Sequence, residues 1–241
     1  IIQEELSRLG RNLFREGALV KAGGAMIDNA REYVRIDAVS ALPEDLDILV
    51  GKVYTNTAGV EFQVLEVLES TETDPTTLYV KYTDTTGAVD NSVSARVGSG
   101  EVILSSDSSY PLTVAPDGVV PASGLGTKVS VNESEFFILG HFVHVSATSL
   151  YVSKYSSTPT VDFGFKVEQL IITESEDPSL YDNQGDVPNI SSPGAHRYKI
   201  KLTPTTRDTI DAEDNFVYVC RIVDGVITRD NETNDVLQIT A

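Results

Sequence analysis

The 241-residue chain carries 36 acidic against 18 basic residues, a formal net charge of -18. Such a surface repels phosphate backbones and anionic lipid heads, and no basic patch offsets it, so nucleic-acid binding is not expected. A hydrophobic content of 41% suits a folded protein, yet no stretch nears the roughly 18 consecutive apolar residues of a membrane helix, so no membrane insertion is expected.

The spacing of Ile2, Leu6, Leu9 and Leu13 predicts a helix over residues 1–16, with Gly17 as its stop. Two heptads are too short to stand alone in water. The seam must therefore pack, either on a sheet of its own domain or on a neighbouring subunit. Residues 1–17 are read as an oligomerisation or docking helix.

From residue 18 onward the pattern is β. Apolar alternation marks strands at 32–36, 52–54, 61–68, 77–82 and 101–104, separated by polar breaks that carry Gly or Pro. Residues 105–126, rich in Ser, Pro, Gly and Asp, mark a boundary or a long loop. Beyond it, strands are expected at 127–131, along the apolar run 136–145, and at 150–152, 160–173, 196–202 and 215–222. Asp224-Gly225 signals a tight hairpin, because that pair supports the positive φ values of a type I′ turn. The expected class is mainly β, with short antiparallel strands in one or two sandwich- or barrel-like domains: 18–125 first, then 126–241.

Catalytic motifs are absent: no P-loop, no G-x-G-x-x-G, no G-x-S-x-G and no H-E-x-x-H. His141 and His144 stand three apart in a strand, so they face opposite sides and are expected one in the core and one outside. His196 follows a Pro-Gly turn. Cys220, the single cysteine, sits in an apolar strand and reads as a buried thiol. Asp182, Gln184 and Asp186 alternate like Ca²⁺-loop ligands, without the closing Glu or the Gly register, so a solvated loop is expected. The absence of Trp weakens a sugar-stacking site, although ten Tyr keep one open. The chain is read as a non-enzyme with no cofactor and no metal.

Several motifs recur in a telling order: Leu150-Tyr151-Val152-Ser153-Lys154-Tyr155, Gly164 to Glu168, Asp177-Pro178-Ser179-Leu180-Tyr181-Asp182, and Pro193-Gly194-Ala195-His196-Arg197. In this order, over residues 127–225, the chain resembles a bacteriophage virion protein family of unknown function. Members of that family occur among baseplate-associated and tail-fibre proteins. The resemblance implies a place in the virion tail, assembly in the host cytoplasm, and contact with other phage tail or baseplate proteins. A baseplate-attached adaptor or the anchoring segment of a fibre is expected, as a homo-oligomer with a trimer favoured. A receptor- or carbohydrate-binding adhesin module and a polysaccharide-degrading tailspike fragment are the alternatives. The 174–197 loop is long, and long loops are often interfacial. The candidate interface is therefore Ile2, Leu6, Leu9 and Leu13 on the helix, with Asp177, Pro178, Leu180, Asp182, Pro193 and Arg197 on the loop.

Overall fold

A computed structural model of the chain describes residues 2–21, 23–72, 74–84, 96–181 and 194–230. The fold is mainly β, in antiparallel sheets that include a curled half-barrel, with one short N-terminal helix. Helix α1 spans Ile2–Leu13. The first strands are β1 (Ala18–Lys21), β2 (Ala25–Arg35), β3 (Val53–Asn56), β4 (Glu61–Leu68) and β5 (Thr77–Asp84). Then come β6 (Val102–Ser105), β7 (Leu112–Thr113), β8 (Ser123–Val131), β9 (Ser134–Ile138) and β10 (His141–Val145). The last are β11 (Thr148–Ser153), β12 (Val161–Ile172), β13 (Arg197–Thr206), β14 (Phe216–Val223) and β15 (Val226–Asp230).

The described residues form two compact units. Unit one takes the stretches 1–26, 129–152 and 160–241, and unit two takes 27–128 and 153–159. The units thus interleave along the chain and do not follow the consecutive blocks 18–125 and 126–241. The stretch 105–126, expected as a boundary, is built into unit two. Its Leu112, Val114 and Ala122 are buried in that core, and Val114 bridges to Ile36. Composition marks the turns of this stretch, but its few apolar side chains decide where it packs.

In unit two the strands run in the order β8-β2-β5-β4-β3-β6-β7. Alternate residues of β3, β4 and β5 bury Tyr54, Phe62, Val64, Leu78 and Val80, as period-two strands with one face on a core should. Asn56 shapes the β3–β4 turn. Its Oδ1 accepts from the Ala58 and Val60 N–H groups, and its amide donates to Glu101 at 2.7 Å.

Unit one is layered. A sheet in the order β1-β9-β10 lies between α1 and a second sheet in the order β13-β12-β14-β15. Successive residues of a strand point to opposite faces, and β9 uses both of its faces. Phe136 meets Phe165 of β12, ring centroids 5.6 Å apart. Its neighbour Phe137 turns towards the helix, where it meets Phe14 at 5.9 Å and Phe142 at 5.3 Å.

The helix therefore seats on its own unit, and it does so through a face that the Leu seam does not mark. Ser7 donates its hydroxyl to the Gly140 carbonyl, Gly10 lies against Phe137, and Phe14 closes the turn beyond. A Cβ on Gly10 would sit 2.3 Å from the Phe137 ring, so the close approach requires glycine. Leu9 of the seam stays 54% exposed and Leu13 half-buried, while the side chains of Ile2 and Leu6 lie outside the described residues. Replacing Gly10 with Leu is expected to lift α1 from β9 at a cost of about 1–3 kcal/mol. Urea unfolding followed by far-UV circular dichroism checks it, and an unchanged midpoint would refute the seating.

Two hairpins frame unit one. Asp224 and Gly225 take φ values of 50° and 77°, and Val223 pairs with Val226, as the sequence predicts. The other was not legible. The apolar run 136–145 breaks into β9 and β10 at Leu139 and Gly140, both with positive φ. An apolar residue rarely adopts that conformation. Here the Leu139 N–H is held by the Glu16 carboxylate, a contact between distant parts of the chain.

A candidate docking groove on unit one

Strand β13 pairs with β12 over the whole length of β13, from Phe163 opposite Thr206 to Ile172 opposite Arg197. Its other neighbour is shorter. Strand β14 pairs with β12 only between Val161 and Lys166, and one further backbone bond joins Val167 to Asn215. Past that point β12 and β13 continue as a two-stranded ribbon. Its core-side face begins with buried Phe163, Phe165 and Val167 and runs outward to Ile171, 65% exposed, and Tyr198, 48% exposed. The Tyr198 hydroxyl donates to Gln169 at 3.0 Å, and on the opposite face Lys201 pairs with Glu168 at 3.2 Å.

The ribbon carries the predicted loop at its end, and the described part of that loop is ordered by its own chemistry. Asp177 caps a short 3₁₀ turn over Pro178–Leu180, accepting from the Ser179 N–H at 3.0 Å. Hydrogen bonds from Ser179, side chain first and then backbone, hold the Asp177 carboxyl below the usual carboxylate range, and Arg197 adds to the effect from 3.7 Å. Leu180 is buried, and its carbonyl accepts from Ala195 N–H at 2.9 Å, which ties the two ends of the loop together. His196 Nε2 lies 3.4 Å from Glu174. Of the loop candidates, Asp177, Pro178, Leu180 and Arg197 thus form one cluster. Asp182 and Pro193 lie outside the described residues, as do Gln184 and Asp186. The helix candidates belong to the opposite layer and do not join this cluster.

Beside the ribbon opens a groove of about 680 Å³. One wall is His141, Phe142, Val143 and His144 of β10, and the other is His196 with Arg197 to Ile200 of β13. All three histidines of the chain line it. Both His141 and His144 are exposed, which corrects the expectation of one core and one surface histidine. The reason is strand order: β10 is the outermost strand of its sheet, so no further strand beside it covers these side chains among the described residues. His141 lies against Tyr198, ring centroids 6.0 Å apart. The signal for this grouping in the sequence was faint, since nothing local ties residues 141–144 to 196–200. Among the described residues, no group of three or more His, Cys, Asp or Glu is arranged to hold a metal ion.

The cysteine and several tyrosines are accounted for elsewhere. Cys220 is buried in β14. Tyr33, Tyr54 and Tyr79 are buried in unit two, which removes them as sugar-stacking platforms.

The model of a domain of unknown function, DUF4815, matches residues 119–241. This stretch covers just over half of the chain and includes β9 to β15 and both walls of the groove. No curated protein and no solved structure matches the chain. The chain therefore belongs to the DUF4815 family, a family of unknown function.

Proposed function

We propose that this protein is a structural component of a bacteriophage tail, a baseplate-attached adaptor or the anchoring segment of a fibre, and that it works by protein–protein assembly. The motif order over residues 127–225 supports the setting. The observation that carries the mode of action is the end of the β12–β13 ribbon. Among the described residues it leaves backbone groups unpaired along its edges, and it presents Leu170 and Ile171 to solvent. Open strand edges and exposed apolar side chains are a liability in a protein that meets no partner. In an assembled particle they become contact surface. The exposed Leu9 on α1 offers a second, separate surface for self-association as a trimer.

The reading is tested on virions. Quantitative mass spectrometry of purified particles is expected to find the chain in fixed ratio to tail proteins, and light scattering of the isolated chain to give an oligomer. A Leu170→Asp/Ile171→Asp variant is expected to keep its stability within about 0.5 kcal/mol, yet to be lost from particles. A stable monomer absent from particles overturns the proposal.

A further inference from the structure

The groove has features that a generic sticky surface would not share. Its walls are runs of consecutive residues, 141–144 and 196–200. A cavity roofed by the face of a sheet is lined by alternate residues, because neighbours point to opposite sides. Consecutive lining means that the strands are met along their edges. Both strands are outermost in their sheets, β10 in β1-β9-β10 and β13 in β13-β12-β14-β15. The groove thus lies between two edges whose N–H and C=O groups are unpaired among the described residues.

Its lining differs from the rest of the molecule in holding cations and no carboxylate among the described residues. On a chain of net charge -18, the groove collects Arg197, Lys199 and three imidazoles. Carboxylates flank the lining, including Glu133, whose charge His144 helps to stabilise. Asp177 stands 3.7 Å from Arg197, Glu174 stands 3.4 Å from His196, and Glu135 of β9 is the strand partner of His144. Glu168 is taken by Lys201. Lys199 is opposite Leu170 and makes no ion pair among the described residues. Between the charges, Val143, Tyr198 and Ile200 supply apolar surface.

We infer that this groove receives an extended, carboxylate-rich polypeptide segment from a neighbouring subunit, added as a strand along the β10 or β13 edge. The inference rests on the reading of unit one as an assembly module and names the chemistry of its partner. An extended peptide presents alternating donors and acceptors that match a strand edge. A nucleic-acid backbone presents only acceptors, so it meets the cations but not the edges. Strand β10 has five residues, His141–Val145, which sets the docked segment at roughly 17 Å at the rise of a β-strand. Arg197 and Lys199 would pair with its carboxylates, and Tyr198 and Ile200 would take its apolar side chains.

The test uses the full chain and a fluorescent peptide alternating Glu and Val, with anisotropy as the readout. A Gln-Val peptide and a short DNA duplex are the controls. Binding is expected for the Glu-Val peptide, weaker by about 10- to 100-fold in an Arg197→Gln/Lys199→Gln variant. His141→Gln/His144→Gln is expected to weaken it as well, without touching the loop cluster. Equal binding of the Gln-Val peptide, equal binding by both variants, or tighter binding of the duplex overturns the inference. So does loss of self-association in the variants with no peptide bound by the wild type, which assigns the groove to a second copy of this chain. Because particle incorporation is measured separately, a groove that binds nothing leaves the assembly reading standing or falling on its own experiment.

Discussion

Replacing Phe165 with Ala is expected to cost unit one about 3–5 kcal/mol. Phe165 is fully buried, on the one strand that pairs with both β13 and β14. Its ring packs against Phe136 from the other sheet and against Phe163, with centroids 5.6 Å and 6.1 Å away. Truncation would remove the side chain that joins the two sheets and leave a cavity between them. The surroundings have little room to collapse. Gly164 sits at a register shift beside it, where an added Cβ would meet the Val217 carbonyl oxygen at 2.1 Å, so the backbones already touch. A loss of this size is a large part of the stability of an ordinary domain. Urea unfolding by far-UV circular dichroism reads it as an earlier transition, with Leu170→Ala as the exposed control expected to shift by about 0.5 kcal/mol or less. If Phe165→Ala shifts no more than the control, the two sheets do not share a core.

Unit two is expected to lose stability above about pH 10, where an unfolded chain ionises its tyrosines. Tyr54 is fully buried and its hydroxyl donates to the Tyr110 carbonyl at 3.3 Å. Burial pushes its pKa up to about 12, with the Asp107 charge adding to the shift. Burial likewise raises Tyr79, whose hydroxyl donates to the Lys154 carbonyl, and Tyr82 and Tyr33. Below about pH 10 these phenols are neutral in both states and the full stability is present. As pH rises, the unfolded state sheds protons that the folded state keeps, so the folded state is progressively disfavoured. Tyr54 alone accounts for about 3 kcal/mol once the pH passes its folded value. Tyrosinate absorbance followed together with circular dichroism should show ionisation and unfolding in one step. Tyrosines that titrate near pH 10 with the sheet intact would contradict it. Tyr54→Phe should make the alkaline loss smaller.

At the acid end, Asp107 works in the opposite sense. Lys52, Ser105 and Ser109 all bond its carboxylate and hold its pKa well below the usual range. Its contribution is present above the ordinary carboxylate pKa and falls away as pH drops through the lowered value.

The sequence by itself determined the local structure. Strand β4 runs over the predicted 61–68, because apolar alternation there buries one face. The Asp224-Gly225 turn forms where those two residues tolerate positive φ. Asp177 caps the following turn with its own side chain, over residues adjacent in the chain. Each of these depends on neighbours a few residues away, which is why the strand and the hairpin turn were legible.

Only the tertiary structure decided the rest. The Leu seam of α1 correctly marked a helix, but Gly10 and Ser7 seat it, because the closeness of Phe137 matters more than the greasiness of the helix face. Residues 105–126 look like a linker until Leu112 and Val114 are found in the unit-two core. The histidines could not be grouped from their spacing, since exposure at an edge depends on which strand lies outermost, and alternation within a strand carries no record of strand order. Net charge pointed away from anionic partners for the molecule as a whole. The folding of β10 beside β13 brings three imidazoles next to Arg197 and Lys199, and that placement comes from pairings between segments far apart in the chain.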